Sequence, residues 1–421
     1  MARKTALKVL TKYSNDNSYI NITLNDVLNN SDLSREDKDL CTNIVYGTLQ
    51  NKLYLEYQLE PYTKDKKVKQ RIYWILMISI YQIIFLDKVP TYAIIDEANN
   101  LGQDKGERSF INAILRNFTK HDLRSLDDLD QYQKLSITTS HPLWLVKMLS
   151  KQYSFEITEK VCKEDNTTPS RSARVNTLKT SLEKILEDKN ITKASIGDNA
   201  VHFKSGNIAS TNYYKDGLVT IQDEASQLVS ELLNPNENDY VLDMCCAPGS
   251  KTTHLSALMH NNGTIEAYDL FEHKIKLVEL NAKRLNATNV NFHVGDSTKL
   301  KDTYKKETFD KILLDAPCSG LGVLKRKPEI RYHDSSIMDT IIPLQANLLE
   351  NAYYLLKNNG KMVYSTCTIN KKENEKMIFA FIKKHPDMKI VEEKVLLNYE
   401  YHTDGFYMCK LAKGNNDETN I

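Results

Sequence analysis

The sequence predicts a multidomain chain. An all-α bundle comes first, a small α/β module follows, and a larger α/β domain with a mainly parallel sheet comes last. Three observations predict this. Glycine is scarce early, with only Gly47, Gly102 and Gly106 before residue 197, whereas nine of the 14 glycines fall at or after Gly217. The front half repeats apolar residues at helical spacing, while the back half alternates short β-rich runs with amphipathic helices. A length of 421 residues suits two or three domains. The expected boundaries are 1–140, 141–215 and 216–413, with a disordered tail over 414–421.

In the front domain Leu40, Ile44, Thr48 and Leu49 share one helical face, and Ser34 with Asp37 is placed to cap that helix. Ile72, Ile75, Leu76, Ile80, Ile83 and Ile84 make a second apolar face. Pro90 precedes a third helix carrying Ile94, Ala98 and Leu101, and Phe110, Ile111, Ile114, Leu115 and Phe118 make a fourth. In the middle module, Pro142 starts a helix with Trp144, Val146 and Leu149. Arg174-Val175-Asn176 ends a strand, and a helix near 181–189 and a strand pair near 194–204 follow. In the last domain strands are expected at 240–243, 264–268, 290–294, 310–314 and 361–365. Helices are expected at 249–259, 271–286, 335–357 and 371–384, and Gly405-Phe406-Tyr407-Met408 begins a final strand. Such alternation implies a sheet covered on both faces, with ligands at the carboxyl ends of its strands.

Composition narrows the function classes. Lys and Arg total 56 against 55 Asp and Glu, a formal charge of +1, so a surface for nucleic acid must be local. No apolar stretch follows Met1-Ala2-Arg3-Lys4-Thr5, so no signal peptide is expected. The longest apolar run, Ile72 to Leu86, is interrupted by Ser79 and Gln82 and reads as a buried core helix rather than a membrane span. Cys41, Cys162, Cys245, Cys246, Cys318, Cys367 and Cys409 form no zinc spacing, and their odd number suggests reduced thiols in the cytoplasm. Neither a metal nor a membrane partner is expected.

The segment Val241-Leu242-Asp243-Met244-Cys245-Cys246-Ala247-Pro248-Gly249-Ser250-Lys251-Thr252 lies between a strand and a helix. Asp243, Cys245, Ala247 and Gly249 follow the spacing of an acidic-x-G-x-G-x-G nucleotide loop, with small side chains at two glycine positions. The demand is a tight turn whose backbone touches a ligand. It is neither a dinucleotide fingerprint nor a Walker motif, so a pyrophosphate is not the expected ligand. Asp269 closes the next strand, where a carboxylate accepts from both ribose hydroxyls. Asp296, in Gly295-Asp296-Ser297, closes the third and is placed to accept from an adenine amino group. Singly, each Asp is equally a helix cap. Together the three carboxylates describe an adenosine pocket without a phosphate site.

Two further strand ends carry thiols: Leu314-Asp315-Ala316-Pro317-Cys318-Ser319-Gly320 and Tyr364-Ser365-Thr366-Cys367-Thr368. Adjacent parallel strands bring both cysteines to one rim, beside the adenosine pocket. Residue chemistry alone permits either cysteine to attack a substrate. Asp315 is placed to hydrogen-bond a pyrimidine edge; its competing role is to order the Pro-Cys loop.

These motifs resemble the RsmB/Sun family of bacterial 16S ribosomal RNA cytosine-C5 methyltransferases over nearly the whole chain. The resemblance implies a Rossmann-like methyltransferase domain that uses S-adenosyl-L-methionine. It implies Cys367 as nucleophile, in the Thr-Cys motif, and Cys318 in product release, in the Pro-Cys motif. The family's cofactor pocket falls on Cys245, Cys246, Ala247, Pro248, Gly249, Ser250, Lys251, Asp269, Asp296 and Asp315. Ser250 and Cys246 depart from the family's usual Gly and Ala, but both are small. Gln222-Asp223-Glu224-Ala225-Ser226 and Arg174-Val175-Asn176 also look like family segments. In the front domain, Asp87-Lys88-Val89-Pro90, Ile95-Asp96-Glu97-Ala98 and Phe110-Ile111-Asn112-Ala113-Ile114-Leu115-Arg116 resemble the NusB-like RNA-binding domain.

The implied partner is 16S ribosomal RNA, unassembled or partly assembled, acted on by a monomer. Its target base must be flipped out to reach a deep pocket. Lys325, Arg326 and Arg331, with Lys327 and Tyr332 beside them, are candidate RNA contacts, since such a loop can hold phosphates and a stacked base. Lys66-Lys67-Val68-Lys69-Gln70-Arg71 reads as a solvated run before a core helix. Two rivals stand: the same chemistry on transfer RNA or another ribosomal site, and a non-catalytic NusB-like antitermination factor. The reactive thiols oppose the second. An exocyclic-amine methyltransferase calls for N/D-P-P-Y/F, where this chain has Asp315-Ala316-Pro317-Cys318.

Overall fold

In a computed structural model, which describes residues 1–16, 20–64 and 66–414, the chain divides into two compact units. One is Met1–Asn166 with Leu324–His333; the other is Thr167–Val323 with Asp334–Ile421. The tail expected over 414–421 lies outside the described residues except for Gly414, whose amide donates to Asp387 O at 3.0 Å.

The first unit is helical. Its helices are α1 (Ala2–Asp16), α2 (Ile20–Asn29), α3 (Arg35–Gln50), α4 (Lys52–Thr63), α5 (Gln70–Phe85), α6 (Thr91–Asn100), α7 (Lys105–Phe118), α8 (Gln131–Thr139), α9 (Leu143–Tyr153) and α10 (Phe155–Glu164). Ser34 caps α3 by accepting from Asp37 N, and Asp130 with Gln133 forms a capping box on α8. The apolar run of α5 is buried over Trp74–Gln82, packed among Leu10, Ile44, Leu49, Ile111 and Leu115, so it is a core helix. Among the described residues no helix is long and apolar enough to cross a membrane. Helices α9 and α10 group with this unit rather than with the sheet that follows them.

The segment Leu324–His333 requires a correction. Lys325, Arg326 and Arg331 were expected on an RNA-holding loop. Instead Lys325 is 3% exposed and ion-paired with Glu164, and Arg331 is 0% exposed. Arg331 donates from Nη1 to Gln50 O at 3.3 Å and Thr139 O at 3.1 Å, and from Nη2 to Asp165 O at 2.9 Å. Tyr332 OH donates to Leu49 O at 2.6 Å; Arg326 is half-buried, so the correction applies to Lys325 and Arg331. Donors engaged by buried carbonyls are not presented to a phosphate. The segment is an internal strut of the helical unit.

In the second unit, β1 (Ser172–Val175), α11 (Leu182–Leu186), β2 (Ile191–Lys193), β3 (Ala200–Phe203), α12 (Asn212–Lys215) and β4 (Val219–Ile221) build a four-stranded antiparallel sheet of order β2-β3-β1-β4 with short helices. The remainder runs α13 (Glu224–Leu233), β5 (Tyr240–Asp243), α14 (Ser250–Leu258), β6 (Thr264–Asp269), α15 (Glu272–Leu285), β7 (Val290–Val294), β8 (Phe309–Asp315), α16 (Ile337–Leu355), β9 (Leu356–Thr366), α17 (Glu375–Lys384), β10 (Met388–Leu396), α18 (Asn398–Tyr401) and β11 (Phe406–Lys413). Its seven-stranded sheet has the order β10-β11-β9-β8-β5-β6-β7, parallel except where β11 joins. Alternate residues face opposite layers. Leu242, Leu314 and Tyr364 pack with Leu348, Leu349 and Phe381, while Val241, Leu313 and Val363 pack with Val229, Leu233 and Leu255. The chain leaves β5 for β6 on one side and later adds β8 on the other. This reversal opens a crevice at the carboxyl ends of the strands.

Strand β10 was not expected. Its centre, Val391-Glu392-Glu393-Lys394, is charged because the strand lies at the sheet edge, exposed through most of its length. Helix α17 starts at Glu375 rather than 371, because the preceding residues turn to bond the loops beside them.

Arg331→Ala strips a buried donor from three carbonyls and should destabilise the helical unit by about 3 kcal/mol. A urea unfolding midpoint equal to that of the parent chain would contradict the strut role.

Candidate active site

Strand β5 ends in Asp243, and the chain then turns back on itself. Cys246 N donates to Tyr268 O at 2.9 Å and Gly249 N to Cys246 O at 2.7 Å. Gly249 has φ +97°, and a Cβ there would lie 2.9 Å from Val278 Cγ1, so both backbone and space demand glycine. Asn281 Nδ2 donates to Pro248 O at 3.0 Å, fastening the loop to α15, and Ala247 packs against the same helix. Ser250 opens α14; its carbonyl accepts from Arg174 Nη2 at 3.3 Å. Arg174 is buried and also donates to Thr253 Oγ1 at 3.2 Å and Gln222 Oε1 at 2.9 Å. The Arg-Val-Asn and Gln-Asp-Glu segments therefore meet at the base of the loop.

Three carboxylates mark the strand ends. Asp243 is 1% exposed; Thr252 Oγ1 donates to its Oδ2 at 2.8 Å, while Oδ1 is buried without a partner. Burial, with Asp315 adding to it, pushes this carboxyl up to about 7 against the pull of the Thr252 hydrogen bond. Asp269 accepts from Phe271 N at 3.2 Å and stands 3.7 Å from Lys274 Nζ. Asp296 caps the 3-10 turn Ser297–Asp302. Its Oδ1 accepts from Thr298 N at 3.0 Å and Thr298 Oγ1 at 2.7 Å, and these contacts hold its carboxyl below the usual range. The capping role that sequence alone could not separate from ligand binding is therefore present at Asp296, with Oδ2 turned towards Lys299 at 3.8 Å. Burial first, then the neighbouring carboxylates, push the thiols of Cys245 and Cys246 well up. These two act as small neutral side chains.

The two thiols lie at the ends of the neighbouring strands β8 and β9. Asp315 pairs in register with Ser365, whose Oγ donates to Asp315 Oδ1 at 2.8 Å. Lys251, in the first turn of α14, reaches Asp315 Oδ2 at 2.7 Å and lies 5.2 Å above the Phe406 ring. Cys318 Sγ and Cys367 Sγ are 3.3 Å apart, both half-buried. The hydrogen bond with Cys367, then burial, pushes the Cys318 thiol well up. The loop backbones interlock as Gly322 N donates to Cys367 O at 3.0 Å and Gly405 N to Gly322 O at 2.7 Å. Sequence reasoning missed Thr252 and Ser365. Both are ordinary hydroxyl residues; the role of Ser365 follows from strand register with Asp315, and that of Thr252 from the turn that folds the start of α14 back onto the end of β5.

The model for the 16S rRNA methyltransferase RsmB/F family matches residues 230–412, the NusB family matches 1–120, and the ferredoxin-like domain of RsmF/B-like methyltransferases matches 141–199. The "Probable ribosomal RNA small subunit methyltransferase B" of Bacillus subtilis (strain 168) is 37% identical over 442 aligned positions, covering 98% of each chain. The protein of the same description from Synechocystis is 30% identical, covering 98% of this chain and 99% of its own. The chain belongs to the ribosomal RNA small subunit methyltransferase B family. Its fold is shared with the crystal structure of PH0851, which is 23% identical with a TM-score of 0.86 and covers 98% of this chain and 99% of its own. A methyltransferase homologue from Pyrococcus horikoshii, 26% identical, matches with a TM-score of 0.61 over 69% of this chain and all of its own.

In this methyltransferase family member, the carboxylates of β5, β6 and β8 and the two thiols share one crevice edge. The buried Asp243 gives that edge a pH signature. In the folded chain its carboxyl titrates at about 7; unfolded, at about 4. The folded chain thus keeps a proton that the unfolded chain releases. The stability this group permits is complete below about pH 4 and declines as pH rises to about 7. Asp243→Asn should therefore gain stability relative to the parent chain as pH is raised from about 4 to about 8. A pH-independent difference in thermal midpoint would contradict the buried proton.

Proposed function

We propose that the chain methylates carbon 5 of a specific cytosine in 16S ribosomal RNA, using S-adenosyl-L-methionine and a covalent adduct on Cys367. Family membership supports the ribosomal substrate. The observation that carries the chemistry is the pair of thiols 3.3 Å apart, beside the Lys251–Asp315 ion pair.

The residues fit the proposed cofactor. Asp243 offers a buried oxygen without a partner, Asp269 is a strand-end carboxylate, and the turn at Gly249 leaves no room for a side chain. Cys245, Cys246, Ala247, Pro248, Gly249, Ser250 and Lys251 would line it, with Asp269 towards the ribose, Asp296 towards adenine, and Asp315 at the reacting end. S-adenosyl-L-methionine, when bound, supplies the methyl group that carbon 5 accepts.

Carbon 5 of cytosine is a poor nucleophile. Sγ of Cys367 adds to carbon 6, and the new S–C bond pushes electron density onto carbon 5. An ordinary thiol is only a few per cent ionised at neutral pH. A protonated Cys318 donating to the Cys367 sulfur favours the thiolate there. Asp315, oriented by Ser365 and Lys251, hydrogen-bonds the pyrimidine edge and stabilises the activated ring. After methylation a base or solvent takes the carbon-5 proton, the freed electron pair restores the ring double bond, and the S–C6 bond breaks to return Cys367 as a thiolate. While Cys367 is a thioether, the contact that holds the Cys318 proton is gone. Cys318 can then exchange a proton, which supports a role in release.

Cys367→Ala should abolish methylation while binding of S-adenosyl-L-methionine persists; full turnover in that variant would overturn the nucleophile assignment. Cys318→Ala should accumulate a protein–RNA adduct that survives denaturing electrophoresis, and absence of the adduct would remove the release role. Bisulfite mapping of ribosomal RNA from a deletion strain tests the substrate. One 16S cytosine should lose its protection, and an unchanged pattern would refute the proposal.

A further inference from the structure

Two consecutive residues at the head of α17, Glu373 and Asn374, are fully buried. Asn374 fixes the residues on either side of Cys367. Thr366 Oγ1 donates to its Oδ1 at 2.6 Å, and its Nδ2 donates to Thr368 O at 2.9 Å. Glu373 fixes the residue after Cys318, accepting from Ser319 N at 2.9 Å and from Ser319 Oγ at 2.5 Å. Glu373 also accepts from Asn370 Nδ2 at 3.0 Å and Gln345 Nε2 at 3.1 Å. The same Gln345 amide donates to Pro317 O at 2.9 Å, on the other side of Cys318. Ser319 Oγ and Thr368 Oγ1, 2.9 Å apart, close the ring between the two loops.

The chemistry of this ring selects a carboxylate. The backbone amide of Ser319 and the side-chain amides of Asn370 and Gln345 converge as donors, so the group at their centre must accept only. Together with the Ser319 hydroxyl they match the four lone-pair sites of a carboxylate. A tie between helices alone can be apolar, whereas these contacts bracket Cys318 on both sides. In this buried polar network every donor aimed at the Glu373 carboxylate is engaged, Gln345 Oε1 being the one buried atom of the ring without a partner, and losing the carboxylate leaves costly orphan donors.

We propose that Glu373 is a positioning residue for the methyl-transfer site, setting the separation of Cys318 and Cys367 by holding the Pro-Cys loop against the Thr-Cys loop. The inference rests on the roles given to the two cysteines above. Attack uses Cys367, whose loop Asn374 holds on its own, whereas release assisted by Cys318 depends on where Glu373 holds the Pro-Cys loop. A glutamine at 373 aims its NH2 at Ser319 N–H and Gln345 on one side, or at Asn370 on the other. Either placement sets donor against donor and moves Cys318.

The test is single-turnover methylation of a 16S rRNA transcript by full-length Glu373→Gln with S-adenosyl-L-methionine, following adduct formation and decay separately. Decay should slow on the order of tenfold to a hundredfold, as misplacement of a reacting group does. Adduct therefore accumulates while cofactor affinity is unchanged. A merely structural lesion would lower both rates together and weaken cofactor binding. Ser319→Ala keeps the backbone contact and should shift the same ratio in the same direction by a smaller factor; if Glu373→Gln does not fold, this variant decides. Parental decay rates in the folded variants would overturn the inference. Cys367→Ala separates the two readings. Adduct or turnover in that variant defeats the cysteine assignment itself. An inert Cys367→Ala beside parental partitioning in the other variants defeats only the positioning role.

Discussion

The contact between Lys251 and Asp315, at 2.7 Å, is the one on which the site's arrangement depends. Lys251 stands in the first turn of α14, immediately after the glycine-tight turn that follows β5. Asp315 ends β8 and begins the segment that leads to Cys318. One ion pair therefore joins the proposed cofactor loop to the proposed reaction loop, and Ser365 extends the link to β9 and Cys367. Half-buried ion pairs contribute little net stability, because desolvation offsets attraction. Their value here is orientation. Asp315 has one oxygen turned to the ammonium and the other to the hydroxyl, so the plane of its carboxylate is fixed.

The surrounding electrostatics follow from crowding carboxylates at strand ends. Burial first, then Asp243, Asp315 and Asp269, push the Cys245 thiol well up and keep it neutral. Asp243 itself rises to about 7, chiefly because it is buried, with the nearby Asp315 charge adding to that. The two thiols of the reaction rim answer to different neighbours. Cys318 is held protonated chiefly by Cys367, and Glu373 adds to that in the same direction. Four of the five cysteines in this unit thus divide into a neutral pair in the loop after β5 and a pair in contact with each other. The division is made by what surrounds each sulfur, since the residue type is the same.

Much of the fold was legible because its determinants are local. The parallel strands β5, β6, β8 and β9 announce themselves as largely apolar runs ending in Asp or leading into Thr-Cys, and α3, α5, α6 and α7 show helical periodicity. The glycine count separated helical front from sheet-rich back, since tight βα turns such as Gly249 need positive φ. Strand β10 was not legible, because an edge strand carries no buried alternation. The site was half legible. The carboxylates and cysteines stand at strand ends where sequence places them, and register brings them together. Ser365 and Glu373 gain their meaning only from partners far along the chain, 50 residues away for Ser365 and 54 for Glu373, while Thr252 gains its meaning from the local turn that brings it onto Asp243.

The same distinction explains why the basic segment after Cys318 was misread. Lysine and arginine are rarely buried, so Lys325-Arg326-Lys327 is ordinarily a solvated run. Burial becomes possible only when a partner cancels the desolvation cost. For Lys325 that partner is Glu164, 161 residues away in sequence, and for Arg331 it is a set of carbonyls including Thr139, 192 residues away. Neither leaves a trace in local sequence. Pro328 and Ile330, both buried beside Arg331, were the available hint, since a solvated loop has no use for them. A near-neutral formal charge says little about a surface when some of its cations are interior. What attracts a polyanion is the charge that remains exposed, and that depends on pairings made by the fold.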